Sequence, residues 1–201
     1  EFGLADLPLP RLPGRHQYAN AAAAIRAVKA AGLAVSDHAL EMGLARVEWP
    51  GRLQRLTDGA LLRLAPRGSE IWVDGGHNPG AGQVISETMA NYEEREPRPL
   101  FLITGMINTK DPVGYFEPFR GLAERVFTVP IRGSDAGLDP VSLADDAARA
   151  GLYAAPLATV GEALVEIGRI TEEDAVPPRI LIGGSLYLVG DVLADNGTPP
   201  T

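Results

Sequence analysis

The stretch Ile71-Trp72-Val73-Asp74-Gly75-Gly76-His77-Asn78-Pro79-Gly80 concentrates chemistry: an apolar run, a glycine turn holding an acid and an imidazole, and a proline where a helix can begin. If the run is a strand of a parallel sheet, Asp74 sits at its carboxyl end, where a carboxylate can accept from ribose hydroxyls, and His77 can reach a phosphate or a leaving group. The amides that open the following helix would face the same ligand. The same residues also fit a plainer reading, in which Asp74 and Asn78 only organise a turn and cap a helix.

Three further stretches have residue types suited to anions. Trp49-Pro50-Gly51-Arg52 sets an arginine just after a rigid turn, a place for a phosphate clamp swung in by domain closure or for a solvated linker arginine. Thr104-Gly105-Met106-Ile107-Asn108-Thr109-Lys110-Asp111 follows an apolar run, so Lys110 and Asp111 fall on a strand-end loop, with an ordinary surface lysine as the alternative. Gly183-Gly184-Ser185 offers amides and a hydroxyl to an anionic group, or serves only glycine packing. Asn20, set among alanines, is a poor helix former that suits either a ligand hydrogen bond or a cap.

Other chemistries are excluded by residue type. With no cysteine there is no disulfide framework, thiolate nucleophile or Cys-type zinc site, which points to a cytoplasmic setting. The histidines, His16, His38 and His77, have no partners at metal spacing, so no protein-built metal site is expected. Lys29 and Lys110 are the only lysines, and neither completes the phosphate-binding pattern GxxxxGK(S/T). No GxSxG elbow or HExxH helix occurs.

Composition narrows the class further. The 201 residues can bury a core without staples, and 45% apolar with 22% charged is ordinary for a soluble domain. A net charge of −8 argues against nucleic acid as a partner. Glu1 to Leu9 lack the basic start and apolar stretch of a signal peptide, and no run of ~18 apolar residues suggests a membrane span. The chain does not begin with Met, Glu1-Phe2 fits native sequence or a cloning remnant, and the chain is treated as a fragment.

These residues need elements to hold them. The prolines at 8, 10 and 13 block helix, after which alanine-rich Tyr18 to Ala31 predicts a helix ending at Gly32. A second helix is expected from an N-cap at Ser36 or Asp37 to a stop before Trp49-Pro50-Gly51. Two helices are too few for a domain, so residues 1–48 are expected to belong to, or to pack on, another domain. Beyond them, strands are predicted at Ala60 to Ala65, Ile71 to Val73, Leu100 to Ile103, Val126 to Val129, Tyr153 to Leu157 and Ile180 to Ile182. Helices are predicted at Gly80 to Glu96, Pro112 to Arg120, Val141 to Ala150, Val160 to Ile170 and Ser185 to Asp195. Such alternation predicts an α/β, doubly wound, mostly parallel sheet over residues 49–196, with a disordered tail at 197–201.

The ordered motifs LPLP…LPGRHQYANAAAAI, WPGRLQ, WVDGGHNPGA, GMINTKD and GGSLYLVGDVL, from about Leu7 to Leu193, resemble the C-terminal half of bifunctional folylpolyglutamate synthase / dihydrofolate synthase, of the Mur ligase superfamily. The resemblance implies a Rossmann-like Mur ligase C-terminal domain, preceded by two helices from the end of a P-loop ATPase domain, with the active site in the cleft between the domains. It implies an ATP-dependent ligase: ATP phosphorylates a carboxylate of dihydropteroate or of a folate glutamate tail, L-glutamate attacks the acyl phosphate, and Mg²⁺ neutralises the phosphoryl group. By motif position, Asn20 would contact adenine, Arg52 the ATP phosphates, and Asp74 and His77 the nucleotide, while Lys110 and Ser185 would hold the incoming glutamate. The magnesium ligands and P-loop would belong to the other half, the fragment alone would be inactive, and the enzyme would be a monomer. Thr109 stands where many members have Asp, and Gly76 where many have Ala. The competing readings are a free-standing nucleotide-binding or interaction module without catalysis and the matching half of a peptidoglycan Mur ligase.

Overall fold

The computed structural model describes residues 6–199, which divide into two units, one ending at Pro50 and one beginning at Gly51. In the first, helix begins once the prolines are passed, giving α1 (His16–Ala30) and α2 (Asp37–Arg46). Beyond α1, Gly32 takes a φ of +70°, which only glycine adopts at no cost, and its amide donates to the Lys29 carbonyl. Ser36 caps α2, its hydroxyl accepting from the Ala39 amide at 3.2 Å.

The second unit is built on one sheet. Its strands are β1 (Gln54–Leu56), β2 (Glu70–Asp74), β3 (Leu100–Thr104), β4 (Ala123–Thr128), β5 (Ala154–Pro156) and β6 (Arg179–Gly183), in the order β1-β2-β6-β3-β4-β5. Every pairing is parallel except that of β1 with β2. Side chains alternate across a strand, so each central strand feeds two cores. Ile71, Val73, Ile103, Ile180 and Ile182 pack beneath α6 (Val160–Ile170) and α7 (Leu186–Asn196). Trp72, Leu102 and Leu181 pack beneath α3 (Pro79–Arg95), α4 (Pro112–Phe116) and α5 (Pro140–Arg149). This is the expected doubly wound α/β architecture.

Two expectations are corrected. Ala60 to Ala65 is not a strand but contains a 3-10 turn, Leu61–Arg63, because Asn196 at the end of α7 captures the local backbone. Its side chain accepts from the Leu61 amide at 3.1 Å and donates to the Asp58 carbonyl at 2.8 Å. The strand here is β1, whose Gln54 and Arg55 break the apolar pattern and leave Leu56 as its one buried residue. The helix predicted for Pro112 to Arg120 ends at Phe116 and tightens into the 3-10 turn Glu117–Phe119, since Pro118 has no amide to continue the α ladder. Of the tail expected to be disordered, 200 and 201 lie outside the described residues, as does the Glu1-Phe2 start. Gly197 and Thr198 close α7 by donating to the Ala194 and Leu193 carbonyls.

Candidate functional site

Strands β2, β6 and β3 lie side by side and end level, Asp74 opposite Gly183 and Gly183 opposite Thr104. The loops carrying Asp74 and His77, Ser185, and Lys110 therefore leave one edge of the sheet together. From adjacent strands, α3 departs to one face and α7 to the other. Adjacent strands with helices leaving to opposite faces mark the place on the carboxyl edge where open parallel sheets bind ligands.

Asp74 is 1% exposed and turned inward. Its Oδ2 accepts from the Leu53 amide at 2.8 Å and its Oδ1 from the Gly76 amide at 2.6 Å. Asn78 caps α3, accepting from the Ala81 amide at 2.9 Å, and Pro79 occupies the first turn. Both parts of the plainer reading are thus present in the geometry. His77 is half-buried, with Nδ1 2.9 Å from the Gly75 carbonyl. A carbonyl only accepts, so Nδ1 carries a hydrogen and Nε2 is the ring nitrogen left for a ligand. A Cβ at Gly76 would lie 2.7 Å from Ile85 Cδ1 and 2.8 Å from Ala81 Cβ, so an alanine there requires α3 to give way.

The arginine turn is knitted to this one. The Gly75 amide donates to the Gly51 carbonyl at 2.8 Å, and the Gly51 amide donates to Gln54 Oε1 at 3.0 Å. Arg52 is exposed and makes no ion pair among the described residues. The next residue, Leu53, is buried with a φ of +41°.

The other two loops are built as tightly. Gly184 has a φ of +96°, and a Cβ there would come within 2.6 Å of Thr104 Cγ2. Ser185 is buried and caps α7, its hydroxyl accepting from the Tyr187 amide at 3.1 Å. That hydroxyl keeps its own hydrogen to donate. Lys110 is half-buried, and Asp111 beside it caps α4 by accepting from the Gly114 amide at 3.0 Å. Asn20 belongs to the first unit, where it is exposed within α1 and donates to Gln17 Oε1 at 3.1 Å, so it is not a cap.

Known proteins resemble this chain in sequence and fold. Folylpolyglutamate synthase of Lacticaseibacillus casei is 26% identical over 193 residues, covering 94% of this chain and 40% of that protein. Dihydrofolate synthase/folylpolyglutamate synthase of Escherichia coli K12 is 29% identical over 130 residues, 65% of this chain and 27% of that protein. The structure of Mycobacterium tuberculosis folylpolyglutamate synthase complexed with ADP and AMPPCP matches with a TM-score of 0.78 and 25% identity, over 97% of this chain and 42% of that one. The chain is a relative of the folylpolyglutamate synthase/dihydrofolate synthases. It spans less than half the length of these proteins, which is consistent with a C-terminal half, and its α/β fold is that of the Mur ligase family. No protein-family model matches it.

Two parts of this sheet edge carry no clear signal in the sequence. Residues 129–139 after β4 brace the Lys110 loop: the Leu138 amide donates to the Met106 carbonyl and the Asn108 amide to the Ala136 carbonyl, each at 2.8 Å. The only hint was a glycine- and proline-bearing segment after an apolar run, too common to single out. Tyr115 on α4 is fully buried, and a Cβ at Gly183 would lie 3.5 Å from its hydroxyl. Burial, and then the charge of Asp74, push the phenol pKa well above its usual value, so it stays protonated. Nothing in a five-residue helix reveals which way its tyrosine faces.

Among the described residues no group of three or more His, Asp or Glu could hold a metal ion. No helix among them is long and apolar enough to cross a membrane.

Proposed function

We propose that this chain is the C-terminal part of an ATP-dependent carboxylate-amine ligase that adds L-glutamate to dihydropteroate, to folate glutamate tails, or to both. The observation that carries this reading is the convergence of the DGGHNP, GMINTKD and GGS loops on adjacent strand ends, within a fold that matches folylpolyglutamate synthase over 97% of the chain. Supporting it on the nucleotide side, that neighbour was solved with ADP and AMPPCP.

In this reading the edge of the sheet is a preorganised electrostatic surface. Arg52, exposed on a braced turn, meets the ATP phosphates when the domains close, and a positioned guanidinium lowers the energy of charge developing on the transferred phosphoryl group. His77 Nε2 serves the same end of the nucleotide, accepting when neutral and donating to a phosphate oxygen when protonated. Asp74 belongs to this nucleotide end, and Asn20 meets the adenine. The Lys110 ammonium and the Ser185 hydroxyl donate to the carboxylates of the incoming glutamate, holding its amine toward the acyl phosphate. The described residues offer Mg²⁺ no group of three or more carboxylate or imidazole ligands. The ion's ligands lie in the partner half.

The test is substrate dependence in the full-length protein. Glutamate-dependent ADP release with dihydropteroate or tetrahydrofolate is the expected result. Release with UDP-linked muramyl substrates instead would assign the chain to a peptidoglycan ligase, and nucleotide binding without turnover would make it a binding module.

A further inference from the structure

We propose that Arg132 is a positioning residue for the incoming amino acid, fastening residues 129–139 to α7 so that the Lys110 loop stands at a fixed span from Ser185; this rests on the reading that Lys110 and Ser185 hold the glutamate carboxylates. The Lys110 loop has two supports. Its root is tied to the sheet, where the Gly105 amide donates to the Gly183 carbonyl at 3.2 Å. Past the sheet it leans on residues 136–138. The Asn108 amide donates to the Ala136 carbonyl and the Leu138 amide to the Met106 carbonyl, each at 2.8 Å, and Ile107 pairs with Gly137 as an isolated antiparallel bridge. The place of Lys110 therefore depends on what holds residues 136–138.

Arg132 supplies that hold. Its amide donates to Asp191 Oδ2 at 3.2 Å, its guanidinium donates to the Asp191 carbonyl at 3.3 Å, and the same guanidinium nitrogen lies 2.9 Å from Asp195 Oδ1. Asp191 and Asp195 stand four residues apart on α7 and so share one face of it. Gly133 has a φ of +64°, which lets the chain turn directly after the clamp and return to the Lys110 loop. α7 thus begins at the Ser185 hydroxyl and, through Arg132, also sets where Lys110 stands. Two donors at a fixed span match one length of dicarboxylate, and aspartate is one methylene too short to meet both. The Arg132 side chain is 58% exposed, and exposed ion pairs contribute little to stability, so what the clamp supplies is position.

Two measurements decide it. In this chain, hydrogen exchange read residue by residue should find the Asn108 and Leu138 amides about tenfold or more less protected in Arg132→Ala than in the parent, with the Gly105 amide unchanged. Protection equal to the parent's overturns the proposal, because the loop would then be held without Arg132. In the full-length ligase, Arg132→Ala should raise KM for glutamate about fivefold or more, while kcat, KM for ATP and the rate with aspartate move less than about twofold. The Asp191→Asn/Asp195→Asn variant should show the same loss, and adding Arg132→Ala to it should cost less than about twofold more. A full further loss in that background overturns the proposal, because Arg132 would then touch the glutamate directly. So does an unchanged KM for glutamate in Arg132→Ala when Lys110→Ala raises it. If Lys110→Ala leaves that KM unchanged, the reading of the glutamate site falls and the positioning role with it, recognisably, since the Asn108 amide still loses protection in Arg132→Ala.

Discussion

Arg52 is the residue whose loss the proposed chemistry should feel most, because the turn beside it is braced and its side chain is exposed. Removing one preorganised charge-stabilising donor costs about 2–4 kcal/mol of transition-state stabilisation. Arg52→Ala in the full-length ligase should therefore lower kcat/KM by that amount, and an unchanged rate removes Arg52 from the site. At this scale the sequence was legible in residue types more than in directions. Asp74 reads equally as a ligand contact and as a turn residue, Asn78 as a cap, and Ser185 as an anion donor or part of a packed glycine turn, and each does hold a backbone amide. The inward turn of Asp74 depends on Leu53, whose proximity follows from strand pairing and not from local pattern. Asn20 was ambiguous for a local reason: it stands in the fifth position of α1, too deep for a cap.

The elements depend on contacts between residues far apart in sequence. Glu70 and Arg179 open β2 and β6 opposite one another, both buried, with Arg179 Nε donating to Glu70 Oε2 at 2.8 Å. Arg55 pairs with the other carboxylate oxygen at 3.0 Å, and the Arg179 guanidinium also lies over the Tyr92 ring. Burial alone would raise the Glu70 pKa, but the hydrogen bond and charge of Arg179, with help from Arg55 and Trp72, outweigh it and leave the value below the ordinary 4.5. A carboxyl that is more acidic folded than unfolded contributes stability that is complete above its unfolded value and is lost as pH falls through the folded one. Glu70→Gln should therefore flatten the acid limb of a denaturant-midpoint profile. At neutral pH it should cost about 1.5–3 kcal/mol, because Arg179 loses its charged hydrogen-bond partner and keeps the Glu93 carboxylate at 3.8 Å. An acid limb like the parent's would show that other carboxylates set it. Asn196 is the second such contact. Asn196→Ala leaves the buried Leu61 amide without its acceptor and should cost about 1–3 kcal/mol in urea unfolding. A stability within error of the parent's would mean that the turn finds another acceptor. No sequence window contains both Asn196 and Leu61, which is why Ala60 to Ala65 read as a strand. β1 was missed for the opposite reason, a lone buried Leu56 giving no alternation to read.

For the whole molecule, the two-sided core made the architecture readable. Apolar runs such as Leu100 to Ile103 and Ile180 to Ile182 are buried on both faces, and the helical stretches between them carry one apolar stripe each, so alternation alone implied a doubly wound sheet. What alternation cannot supply is strand order: β6, last in sequence, inserts between β2 and β3 and brings Ser185 between the Asp74 and Lys110 loops. That edge carries Arg52 and Lys110 on a chain of net charge −8, with no GxxxxGK(S/T) cradle to wrap a triphosphate in amides. Two side-chain cations on separate loops cannot replace such a cradle, so this 201-residue chain alone should bind ATP only in the millimolar range, about −4 kcal/mol. Isothermal titration calorimetry reads this directly. A micromolar Kd, about −8 kcal/mol, would mean that the strand-end loops hold the nucleotide unaided.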